Sequence, residues 1–277
     1  MVTIDEALVP GTDDRFARKR RKRNGKSATA LIAQRAAGPV ALLLAWWIVS
    51  ATGLISERIL PTPVAVFEAG ANLIGNGELA THLLASAQRA GTGLFFGVIV
   101  GVLLALVTGL SRVGERLIDP NLQMLRAMPI LALMPLAIVW LGIGETMKVS
   151  LVALGVMFPI YLNTHAAIRG ADARFLDLAA TAGLNKLQLI RHVTIPGALP
   201  GFFTGLRFSV AIAWLVLVVA EQTNATSGIG YLMTRARGLS QIDVIMVGLL
   251  VYAVLGLASD ALVRIIERKV LSWRLTR

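Results

Sequence analysis

Few side chains in this sequence are spaced for chemistry of their own. The three histidines, His82, His165 and His192, form no H-E-x-x-H pattern, so no zinc-hydrolase set is present. Cysteine is absent, which removes disulfides and thiolate metal sites. Gly25-Lys26-Ser27 looks like the end of a phosphate loop, but Arg20 stands where G-x-x-x-x-G-K-[ST] requires its first glycine, and no strand precedes it. No ATPase is therefore expected within this chain. The residues with the most informative spacing lie in Gly170 to Gly201, GADARFLDLAATAGLNKLQLIRHVTIPGALPG, a polar island in an otherwise apolar chain. Their chemistry is mechanical.

From Asp172 to Ala182 the island favours helix. Gly183 can take the left-handed conformation that ends it. Asn185 can cap a second helix from Lys186 to Val193, and Pro196 is expected to stop that helix. Leu176, Ala179 and Ala180 give the first helix one apolar face. On these residues alone the knob is either a handle for a partner or an amphipathic pair resting on lipid headgroups.

The elements that must position this knob are membrane spans. The chain is 56% hydrophobic with a mean hydropathy of +0.70, too apolar for a soluble domain. Six stretches approach the roughly 20 residues that cross a bilayer core. They run from about Gly38 to Ile55, Arg89 to Gly109, Asn121 to Leu141, Lys148 to Ile168, Phe202 to Ala220 and Val244 to Ile265. The organisation expected is a basic, disordered tail over 1–35, a first crossing over 36–55, a core over 56–268 that contains the knob at 170–200, and a short end over 269–277. Residues 56–85 read as an outer loop with a short amphipathic helix. With a cytoplasmic N-terminus, only Arg58, Arg89, Lys148, Arg235 and Arg237 of the 27 Lys and Arg fall outside. That distribution places both termini in the cytoplasm. The formal charge of +11 then sets topology and attracts anionic lipid, and nucleic-acid binding is not expected.

Within the spans, Gly93, Gly97, Gly101, Ala105 and Gly109 recur every fourth residue and mark a close helix contact. Spacing alone leaves open whether that contact lies within one subunit or at a moving or dimeric surface. Asp260 and Arg264 are placed to pair across one helical turn. Glu221 is expected to close the fifth span at the outer surface. Arg126, about one turn into the third span, either snorkels to headgroups or lines a passage for an anion.

The island resembles the cytoplasmic loop of ATP-binding-cassette importer permeases, whose form is E-A-A, three residues, Gly, nine residues, then I-x-L-P. Here Asp177-Leu178-Ala179 is followed by three residues, Gly183, nine residues, and Val193-Thr194-Ile195-Pro196. Asp replaces Glu, Leu the first Ala, Val the Ile and Ile the Leu. The runs Leu125 to Thr164, Phe203 to Gln222 and Ser227 to Arg237 are similar to the nitrate, taurine and aliphatic-sulfonate branch of these permeases.

The resemblance implies an all-α, polytopic, six-span permease of the type I importer fold in a bacterial inner membrane. It implies a non-catalytic chain that binds no cofactor, with ATP and magnesium held by a partner ATPase. Its other implied partners are a solute-binding protein, membrane lipid and a second permease copy. Asp177, Ala179, Ala180, Gly183, Leu184, Val193, Ile195 and Pro196 would form the coupling loop, with Arg169, Arg191 and Arg207 supporting it. Arg126, Met128, Pro129, Pro135, Trp140, Phe158, Pro159 and Asn163 would line the pathway. The solute would be a small anion such as an aliphatic sulfonate, taurine or nitrate. An ion-coupled secondary transporter would instead need acidic groups near mid-membrane, and an intramembrane enzyme a nucleophile–base set; neither pattern is evident in the sequence.

Overall fold

The structure, a computed structural model, describes residues 28–53, 55–57 and 59–273, except for the side chains of 28–36, 173, 176, 177, 180 and 224. The basic tail through Ser27, with its Gly25-Lys26-Ser27, lies outside the described residues, as do Arg58, Arg274 and Arg277. The chain forms two compact units divided after Pro63. The first holds helix α1 (Ala28–Ala51), which starts inside the segment read as tail. Its Leu42, Leu43, Trp47 and Ile48 are exposed, as suits a surface facing hydrocarbon. Trp46 turns its indole N–H to the Pro61 carbonyl at 3.1 Å.

The second unit is all helical among its described residues. It comprises α2 (Pro63–Gly75), α3 (Glu78–Leu110), α4 (Arg112–Ala127), a short 3₁₀ turn (Ile130–Leu133), α5 (Met134–Leu141), α6 (Glu145–Arg169), α7 (Ala173–Thr181), α8 (Lys186–Leu189), α9 (Ile195–Asn224), α10 (Ile229–Gly238) and α11 (Ile242–Val270). Four rods are long and apolar enough to cross a membrane: α3, α6, the run Lys186–Thr223 and α11. The third expected span is not one rod. Pro129 forces Met128 out of helical conformation (φ −77°, ψ 131°), and α4 meets the Ile130–Leu141 segment at 89°. The α1 helix is shorter in its described apolar part, Ala37–Ala51.

Helix α6 is the axis of the bundle, and small residues let its neighbours approach its backbone. A Cβ on Gly97 of α3 would lie 2.5 Å from the Ala153 carbonyl oxygen, and one on Gly101 2.8 Å from that of Met157. The glycine stripe is therefore a contact within the subunit. On the other side, a Cβ on Gly205 of α9 would lie 2.7 Å from the Pro159 carbonyl oxygen. Pro159 lies inside the continuous α6, and nearby carbonyls gain side-chain donors: Ser209 Oγ donates to Val156 O at 2.8 Å and Asn163 Nδ2 to Pro159 O at 2.9 Å. Met147, Leu151, Val152, Val156 and Ile160 of α6 pack with Ala213, Val216, Leu217 and Ala220 of α9.

Candidate functional site

The knob begins at Gly170, the residue after α6 ends at Arg169. Its first helix, α7, closes as glycine chemistry requires. Gly183 has φ +71°, and Leu184 N–H donates back to Ala179 O at 3.1 Å, the six-to-one bond of a Schellman stop. Asn185 caps α8 reciprocally: Asn185 Oδ1 accepts from Gln188 N–H, and Gln188 Oε1 accepts from Asn185 N–H, both at 2.9 Å. Ala179 is buried, Leu184 half-buried, and Phe175, Leu178 and Leu187 are exposed. Asp177 and Ala180 lie on α7, with side chains outside the described set.

The expected stop at Pro196 does not occur. Helical chain continues from Lys186 to Asn224 through a π segment at Ile190–Thr194, where Ile195 N–H reaches Ile190 O. Pro196 sits in the first turn of α9, where a missing N–H costs little, and the wider π turn absorbs the change of register. Val193 and Pro196 are half-buried and Ile195 is exposed. The knob is thus joined to the bundle by two stiff rods, α6 and the Lys186–Asn224 run.

The supporting arginines divide. Arg169 pairs with Glu115 of α4, and Arg207 with Asp260 of α11, while Arg191 is exposed. The pathway candidates divide as well. Arg126, Met128, Pro129, Pro135 and Trp140 are exposed along the α4–α5 bend, with Arg126 in the last turn of α4. Phe158 is buried among Ala105, Leu122 and Tyr161, and Pro159 and Asn163 are half-buried against α9.

A second constellation, at the opposite end of the bundle, was not foreseen. Glu221 does not close α9 at the surface; it is 1% exposed. Its carboxylate accepts from Ser86 Oγ at 2.8 Å, Arg89 Nη1 at 2.7 Å, Gly230 N–H at 2.9 Å and Tyr252 Oη at 3.2 Å. Arg89, 6% exposed, also donates from Nη1 to Ser227 O at 2.6 Å, and from Nη2 to Ser227 Oγ at 3.0 Å and Glu145 Oε1 at 2.8 Å. Lys148 completes the set at 2.9 Å from Glu145 Oε1. Two acids and two bases balance, and the segment leading into α10 is stitched down by Ile229 N–H to Ser86 Oγ and Gly228 N–H to His82 Nδ1. Gly228 has φ +114°, and a Cβ there would strike the Glu221 carboxylate. With its donors and acceptors engaged, the set acts as a clamp on α3, α6, α9 and α10. Charges near both ends of apolar runs were visible in the sequence; their convergence was not.

Among the described residues no three His, Asp or Glu side chains gather to hold a metal ion. The geometry is that of a membrane-embedded helical bundle carrying a rigidly mounted surface knob. Residues 97–272 match the family described as "Binding-protein-dependent transport system inner membrane component", and the chain belongs to that family. Two relatives bear the name "Putative aliphatic sulfonates transport permease protein SsuC". The one from Escherichia coli strain K12 is 46% identical over 85% of this chain and 89% of its own length, and the one from Bacillus subtilis strain 168 is 40% identical over 96% and 95%. The taurine transport system permease protein TauC of Escherichia coli strain K12 is 33% identical over 84% of this chain and 86% of its own. A chain of an inward-facing MetNI methionine ABC transporter structure shares the fold, with a TM-score of 0.55 at 17% identity over 67% of this chain and 94% of that one.

Proposed function

We propose that this chain forms the translocation pathway of an ATP-driven importer of small sulfonates. The observation that carries the reading is similarity running almost end to end to two relatives named as aliphatic sulfonate permeases, one covering 96% of this chain. Taurine, itself a sulfonate, belongs to the same chemical class, and nitrate is the smaller anion the assay must include. In this reading α1 and the bent α4–α5 pair complete six crossings, both termini are cytoplasmic, and two copies meet to enclose the path. A separate ATPase holds ATP and magnesium and grips the knob through Phe175, Leu178 and Leu187, while a solute-binding protein delivers cargo from outside. An ion-coupled carrier is less well supported, because the buried acid Glu221 is committed to Arg89 and three further donors instead of being free to exchange an ion.

Uptake of radiolabelled butanesulfonate, taurine and nitrate by cells lacking this chain tests the reading. Sulfonate uptake is expected to fall to background and to return when the wild-type chain is supplied in trans. Undiminished butanesulfonate uptake overturns it.

A further inference from the structure

Two of the ion-paired clusters on the spans differ in their charge balance. The Arg89–Glu221 clamp is balanced in charge, with Arg89, Lys148 and Glu221 buried and Glu145 at its solvent-facing edge, 58% exposed. The second arrangement joins α9 to α11, where Arg207 Nε donates to Asp260 Oδ1 at 3.1 Å and Arg264 Nη2 stands 2.6 Å from Asp260 Oδ2. One carboxylate thus holds two guanidiniums, leaving one surplus positive charge. These side chains are 44% (Arg207), 32% (Asp260) and 46% (Arg264) exposed. Among the described residues this is the only ion-paired cluster with surplus positive charge, histidines counted neutral.

The cluster lies near the knob-side ends of the two spans: at ~1.5 Å per residue, Arg207 is about 8 Å past Phe202 and Asp260 about 8 Å short of Ile265. A charge on a span is costly unless water, protein or a headgroup receives it, and here an uncompensated one is left half exposed. Asp260 engages Nε of one guanidinium and one Nη of the other. The remaining N–H donors make no hydrogen bond to any described residue. Two guanidiniums fixed side by side with free donors suit an anion that offers several oxygens, because each planar fork can bind two of them.

We infer that Arg207 and Arg264, held together by Asp260, form a site for one tetrahedral oxyanion: the sulfonate of a transported solute or the phosphate of a membrane lipid. The sulfonate source rests on the transport reading above, and the phosphate source does not.

The full-length chain in phosphatidylcholine nanodiscs is titrated with butanesulfonate by calorimetry. In parallel, discs containing phosphatidylglycerol are examined by native mass spectrometry for retained lipid. At least one probe is expected to bind, and Arg207→Gln to weaken it about tenfold, the loss of a charge-assisted hydrogen bond. Arg207→Lys should fall between, since it keeps the charge without the fork. Arg264→Gln gives the same reading if Arg207→Gln does not fold. Loss confined to butanesulfonate identifies the solute, loss confined to phosphatidylglycerol identifies the lipid, and either supports the site. Equal binding of both probes by wild type and a folded variant overturns it and reduces the cluster to a tie between helices. Continued butanesulfonate uptake in cells lacking the chain would defeat the transport reading alone and leave the lipid measurement to decide.

Discussion

Arg89 donates to Glu145 on α6, Glu221 on α9 and Ser227 ahead of α10, so one side chain of α3 joins four elements. Removing it leaves Glu221 buried without a counter-charge, which costs about 3–5 kcal/mol in comparable buried pairs. Arg89→Met should therefore lower the melting temperature in detergent and the yield, whereas Arg174→Met, at an exposed position, should change neither. The double variant Arg89→Met with Glu221→Gln should recover part of the loss, because no buried charge is left alone. Equal melting of Arg89→Met and wild type would show that the clamp carries no load. Only local pairs are legible in a sequence. Asp260 and Arg264 lie one turn apart on one helix, and they pair as their spacing predicts. Glu221 and Arg89 are separated by 132 positions, and what brings them together is the return of Gly228–Gly230 over the end of α9, a tertiary event that periodicity does not encode.

At the scale of elements, hydropathy located every long span, and the four-residue glycine stripe announced a tight helix contact. Its partner, α6, became known only from packing. The stripe gives an internal comparison. A Cβ on Gly97 meets the Ala153 carbonyl oxygen at 2.5 Å, while one on Gly91, six residues earlier on α3, meets nothing within 4 Å. Gly97→Val forces a side chain against backbone that no rotamer can avoid, a cost of about 1–3 kcal/mol or more. Gly91→Val should be neutral or slightly stabilising, since valine outranks glycine in a helix. Size-exclusion profiles and melting temperatures of the two variants should separate clearly, and matching profiles would disprove the backbone contact. Prolines were the least legible residues. Pro159 lies within a continuous helix, Pro129 breaks one, and Pro196 begins one after a π turn. The residue type is the same, but the outcome depends on whether neighbouring helices or a wider turn satisfy the groups that proline leaves free.

The unit from Val64 to Arg277 carries one small joint, at Gly183, at the end of the bundle opposite the Arg89–Glu221 clamp. Helices α3, α6 and α9 are locked at backbone distance, and the knob hangs between the end of α6 and a helical run that continues from Lys186 to Asn224. That run carries Arg207 and Glu221, so a displacement of the knob would be carried along a rod bearing both charged clusters, as rigid-body switching requires. The joint itself was legible, because Gly183 and Asn185 act through local backbone chemistry. Gly183 has φ +71° and open space where a Cβ would go, so a substitution there strains the backbone without a clash. For a β-branched residue the left-handed conformation costs roughly 1–2 kcal/mol or more, enough to unseat the Leu184–Ala179 stop but too local to unfold the bundle. Gly183→Val should therefore insert and melt like wild type yet lose co-purification with the ATPase proposed as its partner. Gly183→Asn, which tolerates this conformation, should retain much of it. If Gly183→Val recovers as much ATPase as wild type, the glycine joint does not set the knob's docking geometry, and force must enter the bundle elsewhere.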